Sequence, residues 1–147
     1  MRARQLWILL AAALGVLLCG PARVSAEATE FQLIASPDIT LSGIDRRFLA
    51  EAFLKKTTRW PNDQLIRPVD LEPRSPVRRD FSDRVLKRSV AAVKSYWQQM
   101  VFSGRGVPPP ELDTEAQVVS FVLRNPGSVG YVSVGTSLHG ARTLAVW

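Results

Sequence analysis

Apolar and polar positions along this chain switch between two periods. Phe31-Gln32-Leu33-Ile34-Ala35 is a short apolar-rich run, broken by Pro37 and Asp38, and it predicts an opening strand. From Ile44 the spacing becomes helical. Ile44, Phe48, Leu49, Ala52 and Phe53 share one face, while Arg46, Arg47, Glu51 and Lys55 share the other. Ser42 with Asp45 three residues on resembles a capping box with Asp in place of Glu, which would start this helix. Leu65 to Val69 predicts a second strand, and Pro68 makes it short or places it at an edge. Val77, Phe81 and Val85, with Leu86 beside them, stripe a second helix opening at Ser75. Ser89 caps a third, with Val90, Val93, Trp97 and Met100 on one face and Tyr96 and Val101 flanking it. Phe102 to Gly106 ends that helix, and Val107-Pro108-Pro109-Pro110 is a stiff extended connector. Asp113 or Thr114 caps a fourth helix with Ala116, Val119, Val122 and Leu123 inside, and Asn125-Pro126-Gly127-Ser128 stops it. Val129 to Val134 and Arg142 to Trp147 predict the last strands.

Strands that alternate with helices imply an α/β fold: a single small layered domain with a mostly parallel sheet flanked by helices. The expected core takes Phe48, Phe53, Phe81, Trp97, Val122 and Tyr131 from successive elements. Gly130 inside a strand implies close backbone approach. Trp60, in the basic loop Lys55 to Asp63, either closes one end of the core with its indole N–H on backbone or offers a binding surface.

The N-terminal segment has a different character. Arg2 and Arg4 precede an apolar stretch, Leu6 to Leu18, and Val24-Ser25-Ala26 supplies small residues for cleavage. The stretch is short of the roughly 20 residues that a membrane span needs. Residues 1–26 therefore read as a secretory signal peptide, with a retained anchor as the alternative, and residues 27–147 as one exported, periplasmic domain. Cys19 follows Leu18, where lipidation requires a small residue, so no lipoprotein is expected. The mature chain has no cysteine and hence no disulfide. Removing Arg2, Arg4 and Arg23 from the formal charge of +6 leaves +3. That residue of charge and the exported compartment argue against nucleic acid as a partner.

Candidate chemistry gathers at the start of the second helix. Ser75 suits the N-cap and Pro76 the first helical position. The first-turn amides carry the positive end of the helix dipole, and Arg74, Arg78 and Arg79 add full charges around them. A strand, a tight turn and such a helix start form a seat for an oxyanion. The same residues also fit an ordinary capped helix with solvated arginines. The one histidine, His139, has no second histidine with which to hold a metal, and no Gly-x-Ser-x-Gly elbow accompanies it. Neither a P-loop nor a dinucleotide fingerprint occurs. An enzyme is not expected, and no cofactor is implied.

Three segments in order resemble the phosphate ABC transporter substrate-binding family, within the type 2 periplasmic binding proteins. Phe53 to Asp63 is similar to the family's Phe-x-Gly-Lys-x-x-x-Trp helix end, with Lys55 in place of glycine. Ile66 to Leu71 running to Ser75 is similar to its strand before a phosphate loop. Pro126 to Val132 resembles its Pro-Gly-x-Ile-Gly-Tyr strand start. The resemblance implies a short, single-lobe version of a receptor that otherwise closes two lobes on its ligand. It aligns the family's Ser-Gly-Thr loop with Ser75-Pro76-Val77, and Arg74 and Arg78 stand in for an upstream arginine. The implied anion-binding set is Ser75, Val77, Arg78 and Arg74, and the implied ligand is phosphate or a similar oxyanion, held weakly. The alternative is an interaction module that keeps the fold without ligand capture and contacts an envelope or membrane protein.

Overall fold

The computed structural model describes residues 30–147. The signal-peptide reading and the new N-terminus near Glu27 lie outside the described residues. Among the described residues seven strands, four α-helices and one π-helical segment follow one another: β1 (Phe31–Ala35), β2 (Gly43–Ile44), α1 (Arg46–Phe53), β3 (Arg67–Pro68), β4 (Asp70–Leu71), α2 (Pro76–Phe81), continued by the π-helical segment Ser82–Leu86, α3 (Val90–Phe102), β5 (Glu111–Leu112), α4 (Glu115–Arg124), β6 (Ser128–Ser133) and β7 (Arg142–Val146). Among the described residues no helix is long and apolar enough to cross a membrane.

Five strands form one sheet in the order β2-β7-β1-β6-β3, and β4 pairs with β5 in a separate two-stranded ladder. β1 runs antiparallel to both β6 and β7, whereas β2 with β7 and β3 with β6 are parallel. The sheet is therefore mixed, which corrects the expectation of a mostly parallel one. Alternation of strands and helices specifies the layers. It does not specify the direction of a strand that opens the domain, and β1 enters the middle of the sheet against its neighbours.

The helices start where local chemistry dictates, with one shift. Asp45, not Ser42, caps α1, and its carboxylate accepts from the amides of Arg47 and Phe48 at 2.9 and 3.1 Å. Ser42 and Ile44 are instead drawn into backbone pairing beside β7, through Ala145 N to Ser42 O and Trp147 N to Ile44 O. Ser89 caps α3 through Ala92 N. Thr114 caps α4 in a capping box with Gln117. α4 buries Val118, Val119 and Val122, while Ala116 faces water, a one-position correction to the expected stripe.

The continuous core runs from the sheet to all four helices. Its centre is aromatic: the Phe81 and Tyr131 rings stack at 3.9 Å, and Phe53 meets Phe81 at 4.7 Å. Of the expected core residues, Phe48 is only half-buried and stacks on Trp60 at the margin. Trp60 is buried and its indole N–H donates to Gly127 O at 2.9 Å, so it closes that end of the core. Gly130 lies where a Cβ would meet Val118 and Val69 side chains at 2.7 and 2.8 Å, which is the close approach that its place in a strand implied.

Candidate functional site

The parallel pairing of β4 with β5 sets Asp70 opposite Glu111 and Leu71 opposite Leu112. Four residues after Leu71, Ser75 starts α2 and its Oγ accepts from Arg78 N at 3.3 Å. One turn into α2, Arg78 faces inward and is 3% exposed. Its guanidinium lies 3.1 Å from Asp70 and 2.7 Å from Glu111, and it donates to the carbonyl of Leu71. Asp70 also accepts from Leu71 N at 3.0 Å and from the Tyr131 hydroxyl. A helix, a two-stranded ladder and the central sheet are thus pinned to each other by one buried polar network.

Burial dominates the proton chemistry of this network. Removal from water raises the pKa of Asp70, and the neighbouring Arg78 charge pulls against that rise. Burial also pushes Tyr131 well above the ordinary phenol value, and the Asp70 carboxylate beside it adds to the rise. The phenol therefore stays a proton donor to Asp70 at neutral pH. Such an arrangement holds elements together, because a buried charge that kept no partner would carry the full cost of desolvation.

The four residues expected to hold an anion are divided by the fold. Ser75 and Arg74 remain at the mouth of α2: Ser75 is half-buried, and the Arg74 side chain is exposed with Glu72 at 3.3 Å. Val77 is 2% exposed and belongs to the core. Arg78 points away from solvent into two carboxylates. Pattern reading missed Asp70 and Glu111, and it placed Tyr131 in the core without the bond of its hydroxyl to Asp70. One signal was present: Asp70 sits between Val69 and Leu71 in an apolar run, and a charge there needs a buried partner.

Elsewhere, Glu115 at the first turn of α4 accepts from Ser133 N, Ser133 Oγ and Thr136 Oγ1 at 2.8, 2.7 and 2.6 Å. Burial pushes its pKa up, but these three donors outweigh burial and leave it lowered. Among the described residues no group of three or more His, Cys, Asp or Glu side chains is placed to hold a metal. His139 lies in an exposed loop with a left-handed backbone, φ 49°.

No protein-family model matches the chain, and no curated protein matches it by sequence. Its fold is similar to that of solved structures. One is a putative phosphate ABC transporter substrate-binding protein with bound phosphate from Clostridium perfringens, with a TM-score of 0.63 and 18% identity over 79% of this chain and 44% of that one. A second is an ABC-type phosphate transport receptor from Vibrio cholerae, at 0.59 and 17%, covering 79% and 45%. A third is PstS from Borrelia burgdorferi, at 0.60 and 16%, covering 79% and 46%. The chain spans less than half the length of each of them. At these identities the likeness is one of fold: an α/β domain that matches a lobe of a periplasmic binding protein.

Proposed function

We propose that the protein is an exported, non-catalytic binding module built as one lobe of a phosphate-receptor-like fold, and that this lobe does not capture free phosphate by itself. Its working contact is with another component of the cell envelope. The observation that carries this reading is the inward guanidinium of Arg78. An oxyanion seat needs uncommitted donors, and Arg78 is neutralised by Asp70 and Glu111. Val77 offers no hydroxyl and Pro76 no amide, and Glu72 lies on Arg74 as Glu111 lies on Arg78.

A second reading retains the oxyanion at Ser75. It is favoured by the exposed Arg74 guanidinium beside the half-buried Ser75. One experiment separates the two: phosphate titration followed by backbone NMR. We expect no saturable shifts at residues 74–80. Saturable movement centred there, lost in Arg74→Ala with Ser75→Ala, would overturn the first reading. Even then affinity should be weak, since a millimolar dissociation constant corresponds to about −4 kcal/mol, within reach of a few exposed charge-assisted bonds. Export is tested separately by the intact mass of periplasmic protein, which should begin near Glu27. A chain that retains residues 1–26 would overturn it.

A further inference from the structure

α3 is the helix that the fold covers least: of its 13 residues only Val93 and Trp97 are buried. A groove of about 710 Å³ runs beside it, with Pro73, Pro108 and Glu111 opposite the helix. Phe102 lines that groove yet is 92% exposed, and Val101 is 51% exposed. Large apolar side chains left in water beside an apolar concavity mark a surface that another body covers. Charge does not select that body. Arg78 is held by Asp70, Glu111 and the Leu71 carbonyl, and the two cations Arg78 and Lys94 are matched by the two carboxylates.

The exposed positions of α3 are symmetric about its middle, which falls between Tyr96 and Trp97. Ala91 and Phe102 lie equally far from that point, as do Ala92 and Val101, Lys94 and Gln99, and Ser95 and Gln98, and all of these are exposed. Ala91, Ser95, Gln98 and Phe102 are spaced by four, three and four residues, the spacing of a seam between two packed helices. Within each symmetric pair the two members suit each other. A small alanine stands against a large Phe or Val at the ends, and a hydroxyl stands against an amide in the middle. Lys94, the one charged residue of α3, stands against Gln99 and not against itself. A helix face that stays in water carries more charge than this. A bilayer would strip water from Ser95, Gln98 and Gln99 without replacing the hydrogen bonds. A second α3 replaces them.

We propose that two copies of this chain pair through α3, antiparallel, about a two-fold axis beside Tyr96 and Trp97. Phe102 of each copy lies on the partner's Ala91, at the end of the groove that Val90 and Ala91 line. Val101 lies on the partner's Ala92, and Ser95 bonds to the partner's Gln98. A two-fold interface requires such self-complementarity, because every contact occurs twice with the roles exchanged. The antiparallel arrangement also sets the positive end of each helix dipole beside the negative end of the other. One helix face about 20 Å long is small against the roughly 800 Å² that each partner gives to a standard interface, so association is weak and shows at high concentration. The pairing is independent of whether an oxyanion binds at Ser75.

The test is sedimentation velocity of the whole mature chain over a series of concentrations, where a monomer–dimer equilibrium is expected. Phe102→Ser, at an exposed position, should weaken the dimer at least about tenfold without moving the denaturant midpoint of the monomer. Ala91→Glu should do the same, since an acid in the first turn suits the helix but would be desolvated under the partner's Phe102. The register is read by disulfide trapping, because the mature chain has no cysteine of its own. When Ser95→Cys and Gln98→Cys chains are mixed and oxidised, the mixed disulfide should exceed the share that random pairing gives. A chain that stays monomeric up to its solubility limit overturns the proposal, as does a dimer indifferent to both Phe102→Ser and Ala91→Glu. A preference for same-site disulfides over the mixed one overturns it too, because that is the mark of parallel helices. Uptake of the monomer by phosphatidylglycerol vesicles, lost in Phe102→Ser and without self-association, would overturn it in favour of a membrane surface.

Discussion

Arg78 shows how a single side chain can change the meaning of a motif. Its position one turn past Ser75 suits an anion seat, yet α2 turns that position toward β4 and β5. Removing one partner from a buried ion pair leaves the other charged in a dry site, at a cost of about 3–5 kcal/mol. Arg78→Ala should therefore destabilise the fold by about that amount, read as a shift of the denaturant midpoint with unchanged slope. The apolar replacement Asp70→Leu with Arg78→Met should cost clearly less than the single change, since no charge is stranded. If the double variant is the worse of the two, the network contributes more than charge compensation. Phe81, 0% exposed, stacked on Tyr131 and tilted against Phe53, should cost about 3–5 kcal/mol on change to alanine. A loss under ~1 kcal/mol would contradict its place at the centre of the core. Phe81 and Tyr131 were legible from apolar spacing alone. The inward turn of Arg78 was not, because a helical wheel places Arg78 next to Val77 without saying which of the two a neighbouring ladder will claim.

At the scale of elements, capping was the most legible feature. Ser75, Ser89 and Thr114 all start helices by accepting from the amide three residues on. The departure at α1 has a tertiary cause, since pairing of residues 42–44 with β7 displaces the start to Asp45. The second strand shows the same limit. Leu65 to Val69 reads as one run, but the chain there splits between two partners, β3 joining β6 and β4 joining β5. Partner choice lies outside any single segment. α4 carries a testable link to the sheet through Glu115. Its folded pKa is lowered, so its contribution is fully present above the ordinary value of 4.5 and is lost as pH falls through the folded pKa. Glu115→Gln should then lower stability at neutral pH by about 1 kcal/mol, the scale of a hydrogen bond to a charged group discounted for partial exposure. The difference from the parent should shrink as the pH is taken below 4.5. A gap that stays constant across that range would show that the carboxylate's charge is not what ties α4 to the end of β6.

Across the whole molecule, the layered α/β architecture followed from the order of periods, and the mixed sheet did not, because strand direction is settled by how the chain returns rather than by local pattern. The same geometry makes the domain one cooperative body. β1 joins β6 and β7 in the middle of the sheet, and the polar network ties the β4–β5 ladder and α2 to β6 through Tyr131. Trp60 and Trp97 report from different places: Trp60 closes the core against Gly127, and Trp97 sits in α3 beside the groove. If the network couples the ladder and α3 to the sheet, both should lose native fluorescence at one denaturant concentration, coincident with loss of helix. In the mature chain, Trp97→Phe with Trp147→Phe isolates the Trp60 signal, and Trp60→Phe with Trp147→Phe isolates that of Trp97. Substitution at Gly130 probes the same coupling from the sheet side. A Cβ there would press on Val69, next to Asp70, and on Val118 of α4, so Gly130→Ala should cost about 1–3 kcal/mol. That loss should lower the Trp60 and Trp97 midpoints together. If the Trp97 transition stayed in place while the Trp60 transition moved, α3 and the groove would be a separate folding unit, and the buried network would join them only in the fully native state.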